Sequence, residues 1–458
     1  MSEVLDVPTF TTVPLGELLT DIRNGLVVDQ EKESPGIPIT RIETISKGTV
    51  DMDRVRYVRD TAGKNLDNFW LKTGDILFSH INSDLHLGKT AIVSSDAPLL
   101  HGMNLLRLRV DSNRLRPKYL HHWLDYCRRT GVFMAIAQHA VNQSSLNQKK
   151  ITSLEVPLRA VGEQDEIVAE LEKQFSRLDE AVTTLQRVKA NLKRYKASVL
   201  KAAVEGRLVE TEATLARREG RTFETGEQLL QRILEERRAK WRGKGRYKEP
   251  VAQTAEFTIA VTDGWTSATV DQLASVQLGK MLDKQKHKAG EPYRYLRNIN
   301  VRWGTFDVSD VFEMNFESDE LERFSVRAGD VLVCEGGEPA RAAVWRAKQT
   351  DMKYQKALHR VRFDGAYLPD LIVIALEHLA KSGALDELYG GSTIKHFTRE
   401  TFVKLVLPVP PAAEQARIVA EVDRHLSIIR EVEVEVEANL QRAQALRQAT
   451  LAKAFANT

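Results

Sequence analysis

The sequence predicts an α+β protein in which two similar globular domains are joined by two long antiparallel helices. We expect these helices to form an intramolecular coiled coil and the whole chain to have pseudo-two-fold symmetry. Three observations predict this fold: a helix start that occurs twice, a long apolar stripe after each start, and a globular region of similar outline before each one.

The repeated helix start is the most specific of these observations. The first copy comprises Pro157, Glu163-Gln164 and Ile167-Val168-Ala169-Glu170, and the second comprises Pro408, Glu414-Gln415 and Ile418-Val419-Ala420-Glu421. All seven identical positions share one offset of 251 residues. A constant offset across a helix start indicates two copies of one unit.

A long amphipathic helix follows each start. The first apolar stripe is Leu171, Phe175, Leu178, Val182, Leu185, Leu192 and Val199, and the second is Val422, Leu426, Ile429, Val436, Leu440 and Ala443. The spacing is that of a heptad, with lapses at Lys189, Lys196 and Glu433. The first segment, as far as Gly206, predicts a helix of roughly 66 Å, which needs a partner for its stripe. An ordinary core helix is the alternative for a single run, but two matched copies favour a helix pair.

Residues 431–437 alternate charged and apolar side chains as a strand would. Val432 and Val436 nevertheless lie four residues apart inside a longer periodic segment, so we predict a helix there.

These patterns divide the chain into five segments. They are a first globular domain (1–150), a central spacer helix (151–208), an amphipathic helix with a basic linker (209–256), a second globular domain (257–405) and a C-terminal spacer helix (406–458).

The first globular region combines short strands with helices. Gly74-Asp75 predicts a turn into a buried strand, His80 to Lys89 a polar loop, and Pro117 to Arg129 a helix with one apolar side. In the linker, Phe223 to Trp241 predicts one amphipathic helix, followed by the basic tail Arg242 to Lys248. That tail is either a solvated linker or a contact for phosphates.

The second globular region repeats the first in outline. Gly329-Asp330 corresponds to Gly74-Asp75 with an offset of 255, and Tyr295 to Ile299 corresponds to Ile39 to Ile42. The loop Glu335 to Arg341 takes the place of the loop His80 to Lys89. The framework is therefore repeated while the loops differ.

Composition is that of an ordinary globular protein, with 42% hydrophobic and 28% charged residues and a formal net charge of +3. Cys127 and Cys334 have no metal-type spacing and could form at most one disulfide, so a reduced, cytoplasmic protein is expected. No apolar run approaches the ~20 residues of a membrane helix, and the N-terminus, with Glu3 and Asp6, does not look like a signal peptide.

We find no recognisable catalytic centre in the sequence, and we expect a protein that is not an enzyme. Leu87-Gly88-Lys89-Thr90 imitates the end of a phosphate-binding loop, but Ser83 stands where that loop needs glycine and a strand is expected to follow. His101, His121 and His122 have no zinc-type spacing with a glutamate.

The duplicated motifs resemble the specificity (S) subunit of type I restriction–modification systems. The resemblance rests on the paired Pro…Glu-Gln-x-x-Ile-Val starts, on Leu71 to Leu77 with its second version Val326 to Leu332, and on the loop Glu335 to Arg341. It covers essentially the whole chain. Two departures are Ala340, where glycine is expected, and the lapse at Glu433.

The resemblance implies two target recognition domains, each reading half of a bipartite sequence in double-stranded DNA, held apart by the spacer helices. It implies docking of two methyltransferase subunits, which restriction (helicase-nuclease) subunits can join. No cofactor is expected in this chain, because S-adenosylmethionine, ATP and Mg would be bound by those partners.

Candidate DNA-binding residues lie in the loops that differ between the two domains. They are Arg41, His80, Asn82, Lys89, Asn142, Gln143, Ser144 and Ser145 in the first domain, and Arg297, Asn300, Arg302, Arg341, Lys395 and His396 in the second. Arginine pairs with guanine, and asparagine or glutamine with adenine. For each residue the alternative is a solvated side chain or a phosphate contact without sequence information.

Two other functions are compatible with the sequence. One is a coiled-coil adaptor that joins two protein partners without DNA, which the modest net charge allows. The other is an enzyme with an unfamiliar centre. The sequence leaves open the target bases, the gap between half-sites and the presence of restriction subunits.

Overall fold

The structure is a computed structural model that describes residues 11–456 except 34, 47, 62, 96–97, 141–142, 244, 254–260, 282–289, 349–350, 364 and 392–394. The chain forms two compact units. Unit 1 comprises Met1–Arg187 and Val436–Thr458, and unit 2 comprises Val188–Glu435. Each unit therefore contains one end of each long helix.

The helices are α1 Pro117–Arg129, α2 Val132–Ile136, α3 Gln148–Thr152, α4 Val161–Val204, α5 Glu212–Glu219, α6 Gly226–Ala239, α7 Val270–Leu273, α8 Ser318–Arg323, α9 Pro369–Ser382, α10 Arg399–Phe402 and α11 Ala412–Phe455. Short 3-10 helices are Leu15–Glu17, Ile42–Ile45, Met52–Arg54, Asp67–Phe69, Asn298–Asn300 and Asp386–Leu388.

The strands of unit 1 are β1 Thr11–Pro14, β2 Leu19–Asn24, β3 Ile37–Ile39, β4 Arg56–Val58, β5 Ile76–Phe78, β6 Ile81–Asn82, β7 Thr90–Ile92, β8 Leu106–Val110, β9 Gln138–Ala140, β10 Gln143–Ser145 and β11 Glu155–Leu158. Those of unit 2 are β12 Thr266–Thr269, β13 Ala274–Leu278, β14 Glu291–Leu296, β15 Val301–Arg302, β16 Thr305–Phe306, β17 Phe312–Phe316, β18 Val331–Cys334, β19 Ala342–Val344, β20 Lys353–Tyr354, β21 Leu358–Phe363 and β22 Val406–Val409.

The same sheet lies at the centre of each unit. Its strand order is β2-β8-β5-β7 in unit 1 and β13-β21-β18-β19 in unit 2, with antiparallel neighbours throughout. In unit 1 the strand that enters the domain pairs with the strand that leaves it (β1 with β11), and in unit 2 β12 pairs with β22 in the same way. The chain therefore enters and leaves each globular part at one place.

The spacing of corresponding strands changes along the repeat. The starts of β2 and β13 are 255 residues apart, as are those of β5 and β18, whereas β11 and β22 are 251 apart. Corresponding strands are present before and after the point at which the spacing changes. The four residues that unit 2 lacks are therefore lost from loops between strands. This agrees with the two offsets seen in the sequence.

One buried glutamine fixes the start of each long helix. Gln164 accepts a hydrogen bond from the Arg116 backbone N–H (2.8 Å) and donates to the Arg114 and Arg159 carbonyls (both 2.9 Å). Gln415 accepts from the Leu368 N–H (2.8 Å) and donates to the Pro410 carbonyl (3.0 Å). Both glutamines are fully buried. The repeated Glu-Gln motif thus joins each helix to the globular part before it.

Within each unit the two long helices run antiparallel. In unit 1, Arg447 near the end of α11 pairs with Asp179 of α4 at 2.8 Å, and Thr450 bonds Gln174 at 3.2 Å. In unit 2, the Tyr195 hydroxyl near the end of α4 lies 2.7 Å from Nδ1 of His425 near the start of α11. The α11 helix continues through residues 431–437, which confirms the helix predicted there.

The stripe residues are buried mainly against the globular parts. Leu171 and Phe175 join the core of unit 1 together with Leu451 and Phe455, while Val199 and Val422 join the core of unit 2. Full burial of each such side chain contributes about 1.5–3 kcal/mol. Each helix end is thereby held by its own domain as well as by the other helix.

Lys196 explains one lapse in the predicted heptad. Its ammonium group lies 2.6 Å from the Glu377 carboxylate of α9, whose side chain is 8% exposed. A charged residue in the stripe is used here to pair a buried charge of the globular part.

The linker differs from its prediction in two ways. The predicted helix from Phe223 to Trp241 is shorter, since α6 begins at Gly226 after a Thr225 capping box and ends at Ala239. A further helix, α5, was not predicted. Leu229, Leu230 and Ile233 of α6 are buried in the core of unit 2, so this segment packs on the domain.

Both cysteines are buried and free, and burial raises the pKa of Cys127 to about 12. None of the helices in the described part of the chain is long and apolar enough to cross a bilayer.

Candidate nucleic-acid interface

The Gly-Asp turn carries the same buried ion pair in both units. Asp75 is 1% exposed, accepts from the Lys72 N–H (2.9 Å) and forms a two-point pair with Arg109 (2.6 and 2.7 Å). Glycine is required before it because Gly74 has a φ of +89°.

In unit 2, Asp330 is 2% exposed, accepts from the Arg327 N–H (2.7 Å) and pairs twice with Arg362 (both 2.7 Å). Each arginine comes from the neighbouring strand of the central sheet. The two pairs fix the starts of β5 and β18, and thus the loops that follow these strands.

Two backbone hydrogen bonds close the loop after each of these strands. In unit 1 they run from the Ser79 N–H to the Lys89 carbonyl and from the Gly88 N–H to the Ser79 carbonyl, both at 2.8 Å. In unit 2 the Cys334 N–H donates to the Arg341 carbonyl (2.8 Å) and the Ala340 N–H to the Cys334 carbonyl (2.9 Å). The closure is identical, but the loop is residues 80–88 in one unit and 335–340 in the other.

Ala340 stands where glycine is expected, and its backbone has the left-handed conformation at the point where this loop closes. Its φ is +69°, and the corresponding Gly88 has a φ of +76°. A residue with a Cβ costs about 1–2 kcal/mol in this conformation. Glycine is needed at position 88 for a second reason, since a Cβ there would lie 2.1 Å from the Phe133 ring. Ala340 is fully buried and belongs to the core of unit 2.

The first residue of each loop is hydrogen-bonded to a second segment, which also differs between the two units. The His80 carbonyl accepts from the Leu146 N–H (2.8 Å), just after the β9–β10 hairpin. In unit 2 the Glu335 carbonyl accepts from the Phe397 N–H (2.7 Å), directly after the bridge between Gly390 and His396. Each unit thus brings two loops together at the end of a central strand.

Two unit 1 candidates, His80 and Asn82, lie in the first of these loops, and Lys89 directly follows it. Burial lowers the pKa of His80 to about 4, so its imidazole is neutral at pH 7. Asn82 donates to the Ser79 hydroxyl (3.0 Å), and its carbonyl oxygen accepts from the Ser83 N–H (2.8 Å). The Lys89 ammonium bonds the Ser46 carbonyl (3.1 Å), and burial, with Arg128 nearby, lowers its pKa.

The hairpin holds the remaining unit 1 candidates except Arg41. Gln143 is exposed, whereas Ser144 is buried and bonds Asp84 (2.5 Å) and His139 (2.8 Å). Ser145 pairs with Gln138 across the hairpin. Asn142 lies outside the described residues.

Arg41 and Arg297 occupy corresponding positions, each just before a 3-10 helix. Their contacts differ. Arg41 lies 3.8 Å from Glu43, and its side chain is 40% exposed. Arg297 pairs with Asp310 (2.7 Å), stacks on the Phe312 ring (3.6 Å to the centroid) and is only 17% exposed. Arg297 therefore holds its own loop.

Asn300 and Arg341 are also engaged inside unit 2. Asn300 is 2% exposed and donates to the Asp307 and Asp310 carbonyls (2.9 and 2.8 Å). Arg341 is 13% exposed and bonds Glu338 and the Asn298 carbonyl, both at 2.8 Å. These contacts favour a supporting role for both side chains. Arg302 is more accessible, at 46%, with Asp307 3.5 Å away.

Lys395 and His396 lie at the Gly390–His396 bridge in unit 2. Lys395 is 57% exposed and pairs with Asp386 at 3.0 Å. His396 is exposed and lines an open cavity of about 570 Å³. The other residues around this cavity are Met281, Glu335, Lys356, Ala357, Gly390, Gly391 and Thr398.

The site residues predicted from the sequence do not include Glu335, Lys356 or His139. A signal for Glu335 was present, because it follows the Gly-Asp strand at the place that His80 occupies in the first copy. Lys356 and His139 have no comparable signal, since their positions depend on strand pairing. Within the described residues no group of His, Cys, Asp and Glu side chains could hold a metal ion.

Residues 9–193 match the family model described as type I restriction modification DNA specificity domain. The resemblance predicted from the duplicated motifs is thereby confirmed, and the specificity domain matched by the model ends within α4, after the whole first globular part.

Curated relatives of the specificity domain agree with this assignment. The chain is 40% identical over 202 residues to the putative type I restriction enzyme MjaX specificity subunit of Methanocaldococcus jannaschii, which is 44% of this chain and 47% of that protein. It is 22% identical over 452 residues to the EcoBI specificity subunit of Escherichia coli, covering 95% and 84%. The match spans about half the length of the first relative and most of the second.

Two solved structures share the fold over nearly the whole chain. One, from work on complex assembly and conformational transition of the type I R-M system, has a TM-score of 0.63 at 16% identity and covers 98% of each chain. The other, the HsdS subunit of Thermoanaerobacter tengcongensis, has a TM-score of 0.52 at 15% identity, covering 98% of this chain and 97% of that one. The fold class predicted from the sequence is confirmed.

Proposed function

We propose that this chain is the non-catalytic, sequence-specific DNA-binding subunit of a type I restriction–modification complex. Each unit would read one half of a bipartite target in double-stranded DNA. The observation that carries the proposal is the identical loop closure after β5 and β18, from which loops of different length and side-chain chemistry emerge. One framework with two sets of donors and acceptors is suited to reading two different half-sites.

The accessible candidates are the first choice for base contacts. They are Arg41, Asn82, Gln143, Arg302, Lys395 and His396. The largely inaccessible side chains would act by holding the loops in position; they are Arg297, Asn300, Ser144 and Arg341. Lys89 and Ser145 lie between these groups, and His80 and Asn142 keep their places as proposed contacts from the sequence.

Partner subunits would supply the chemistry. Two methyltransferase subunits, docking at the long helices and their flanks, would bring S-adenosylmethionine, and restriction subunits would bring the ATP- and Mg-dependent steps. The complex would act in the cytoplasm, where the two free thiols stay reduced.

Protection of DNA by the assembled complex tests the proposal. The chain and its cognate methyltransferase subunits are expected to protect a bipartite sequence, and affinity is expected to fall as salt rises because phosphate contacts release counterions. Substituting Gln143 or Arg302 is expected to relax one half-site only. A complex that forms but binds DNA without sequence preference or salt dependence would instead support the coiled-coil adaptor, and turnover by the chain alone would support an enzyme.

The spacer role has its own test. We insert seven residues into α4 within Leu185–Val199, and seven into the part of α11 that runs beside that segment. Each insertion keeps the heptad phase, and together they lengthen the helix pair by about 10 Å. At about 3.4 Å per base pair, the gap is expected to grow by roughly three base pairs while the bases read stay the same. An unchanged gap with altered bases would contradict the spacer role.

A further inference from the structure

Glu335 lines a cavity in unit 2, and its side chain has no partner among the residues that the structure describes. The side chain is 9% exposed and lines the 570 Å³ cavity together with Lys356 and His396. It forms no hydrogen bond or ion pair with any residue in the described part of unit 2. Two hydrogen bonds hold its backbone. Its N–H donates to the Ala357 carbonyl (2.9 Å), and its carbonyl accepts from the Phe397 N–H (2.7 Å).

The open cavity lets a donor reach this side chain. Most polar groups that lie largely below a protein surface are hydrogen-bonded, so a carboxylate beside an open cavity is suited to accept from water or from a ligand. The backbone bonds keep Glu335 at this position without any side-chain partner. A carboxylate accepts hydrogen bonds only, so a ligand that pairs with it must offer a donor.

The place of Glu335 in the fold says where that donor comes from. It is the first residue of the loop after β18, beside the segment that carries Lys395 and His396. This is the part of unit 2 in which its framework and its variable loops meet.

We propose that Glu335 determines specificity in the half-site read by unit 2, by accepting a hydrogen bond from the exocyclic amino group of a cytosine. The inference rests on the proposed function. In the major groove cytosine presents only its N4 donor, whereas guanine and thymine present acceptors that a carboxylate repels. Adenine presents a donor beside the N7 acceptor, so it is disfavoured relative to cytosine.

The corresponding residue of unit 1 has different hydrogen-bonding chemistry. His80 stands at the same position, held by the same backbone bond, and its neutral imidazole offers one donor and one acceptor. The two units therefore place unlike groups on one framework position, and Glu335 is expected to influence only the half-site of unit 2.

Glu335→Gln tests the proposal in the complex assembled with its cognate methyltransferase subunits. Binding is measured on a library in which both half-sites of the wild-type target are randomised. Glutamine pairs with adenine N6 and N7, so preference at one position of one half-site is expected to change from cytosine to adenine, with at least a tenfold loss of discrimination for cytosine. Glu335→Ala is expected to lose the preference without gaining another, and the exposed Glu400→Gln in the same unit is expected to change nothing.

A second measurement needs only the wild-type complex. The cytosine is replaced by 2-pyrimidinone, which lacks the amino group, and about tenfold weaker binding is expected; the Glu335→Ala complex should bind both DNAs equally. Unchanged preferences in Glu335→Gln, equal loss of affinity for every sequence, or indifference of the wild-type complex to 2-pyrimidinone would overturn the proposal. A wild-type complex without any bipartite preference would instead overturn the proposed function.

Discussion

The buried Asp75–Arg109 pair gives a direct test of how the loop framework is held. Asp75→Asn keeps the size of the side chain but removes the charge and places an amide N–H₂ group against the guanidinium. Removing one partner of a buried pair costs about 3–5 kcal/mol. Arg109 is 29% exposed and keeps part of its hydration, so we expect a loss of about 2–3 kcal/mol in the free energy of unfolding of unit 1.

Arg116 and Asp165 provide a matched control in the same unit. This is also a two-point pair, with contacts of 2.9 Å, but its side chains are 39% and 54% exposed. Asp165→Asn is therefore expected to cost at most about 1 kcal/mol. The comparison varies burial while it keeps the type of interaction.

Urea unfolding of the full chain gives the measurement, with Trp70 and Trp123 as fluorescent reporters within unit 1. A double-mutant cycle with Arg109→Met isolates the pair, and a coupling above about 1.5 kcal/mol is expected. Asp330→Asn is expected to have the same effect on unit 2. If Asp75→Asn and Asp165→Asn were equally mild, the pair would not hold the framework and the reasoning would be wrong.

Three further predictions concern helix starts, pH and the stripe. Gln164→Ala leaves three backbone groups without partners, so we expect the free energy of unfolding, measured in urea, to fall by about 2–3 kcal/mol. The control Glu166→Ala, at an exposed position, should change it little. Equal effects of the two substitutions would contradict the role of the buried amide. Burial lowers the pKa of His101 to about 3, below its ordinary 6.5, so the unfolded chain binds more protons and stability is lost as pH falls from 6.5 toward 3. Between pH 7 and pH 5 we expect His101 to lower the free energy of unfolding of unit 1 by about 2 kcal/mol. His101→Gln should remove that part of the pH dependence, whereas the control His396→Gln should not. Lys196→Met leaves the Glu377 carboxylate unpaired and is expected to lower the melting temperature of unit 2. Adding Glu377→Leu should restore most of the lost melting temperature. A lower melting temperature in the double variant than in Lys196→Met would show that the ion pair itself is needed.

The sequence predicted the repeated framework because its signals are local. The Gly-Asp turns, the Glu-Gln helix starts and the long apolar stripes each report on contacts within one element or between neighbouring ones. The helix through residues 431–437 was predicted for this reason, because Val432 and Val436 keep the helical spacing although the neighbouring residues alternate.

The site was predicted less completely because its chemistry depends on contacts between distant segments. Arg297 and Arg341 look like free basic side chains in the sequence, yet Asp310, Phe312 and Glu338 engage them. Glu335 looks like an ordinary loop carboxylate until strand pairing places it beside His396. The α5 helix lacks an apolar stripe strong enough to mark it in advance.

The pairing of the entry and exit strands has a consequence for how such chains diversify. In β1 with β11, and in β12 with β22, the chain enters and leaves a globular part through two neighbouring antiparallel strands. A crossover at those points would transplant the intervening segment as an intact cassette and leave the α-helical connections untouched. Recombination between related genes would therefore exchange a whole globular part in a single event, without a series of individually destabilising mutations.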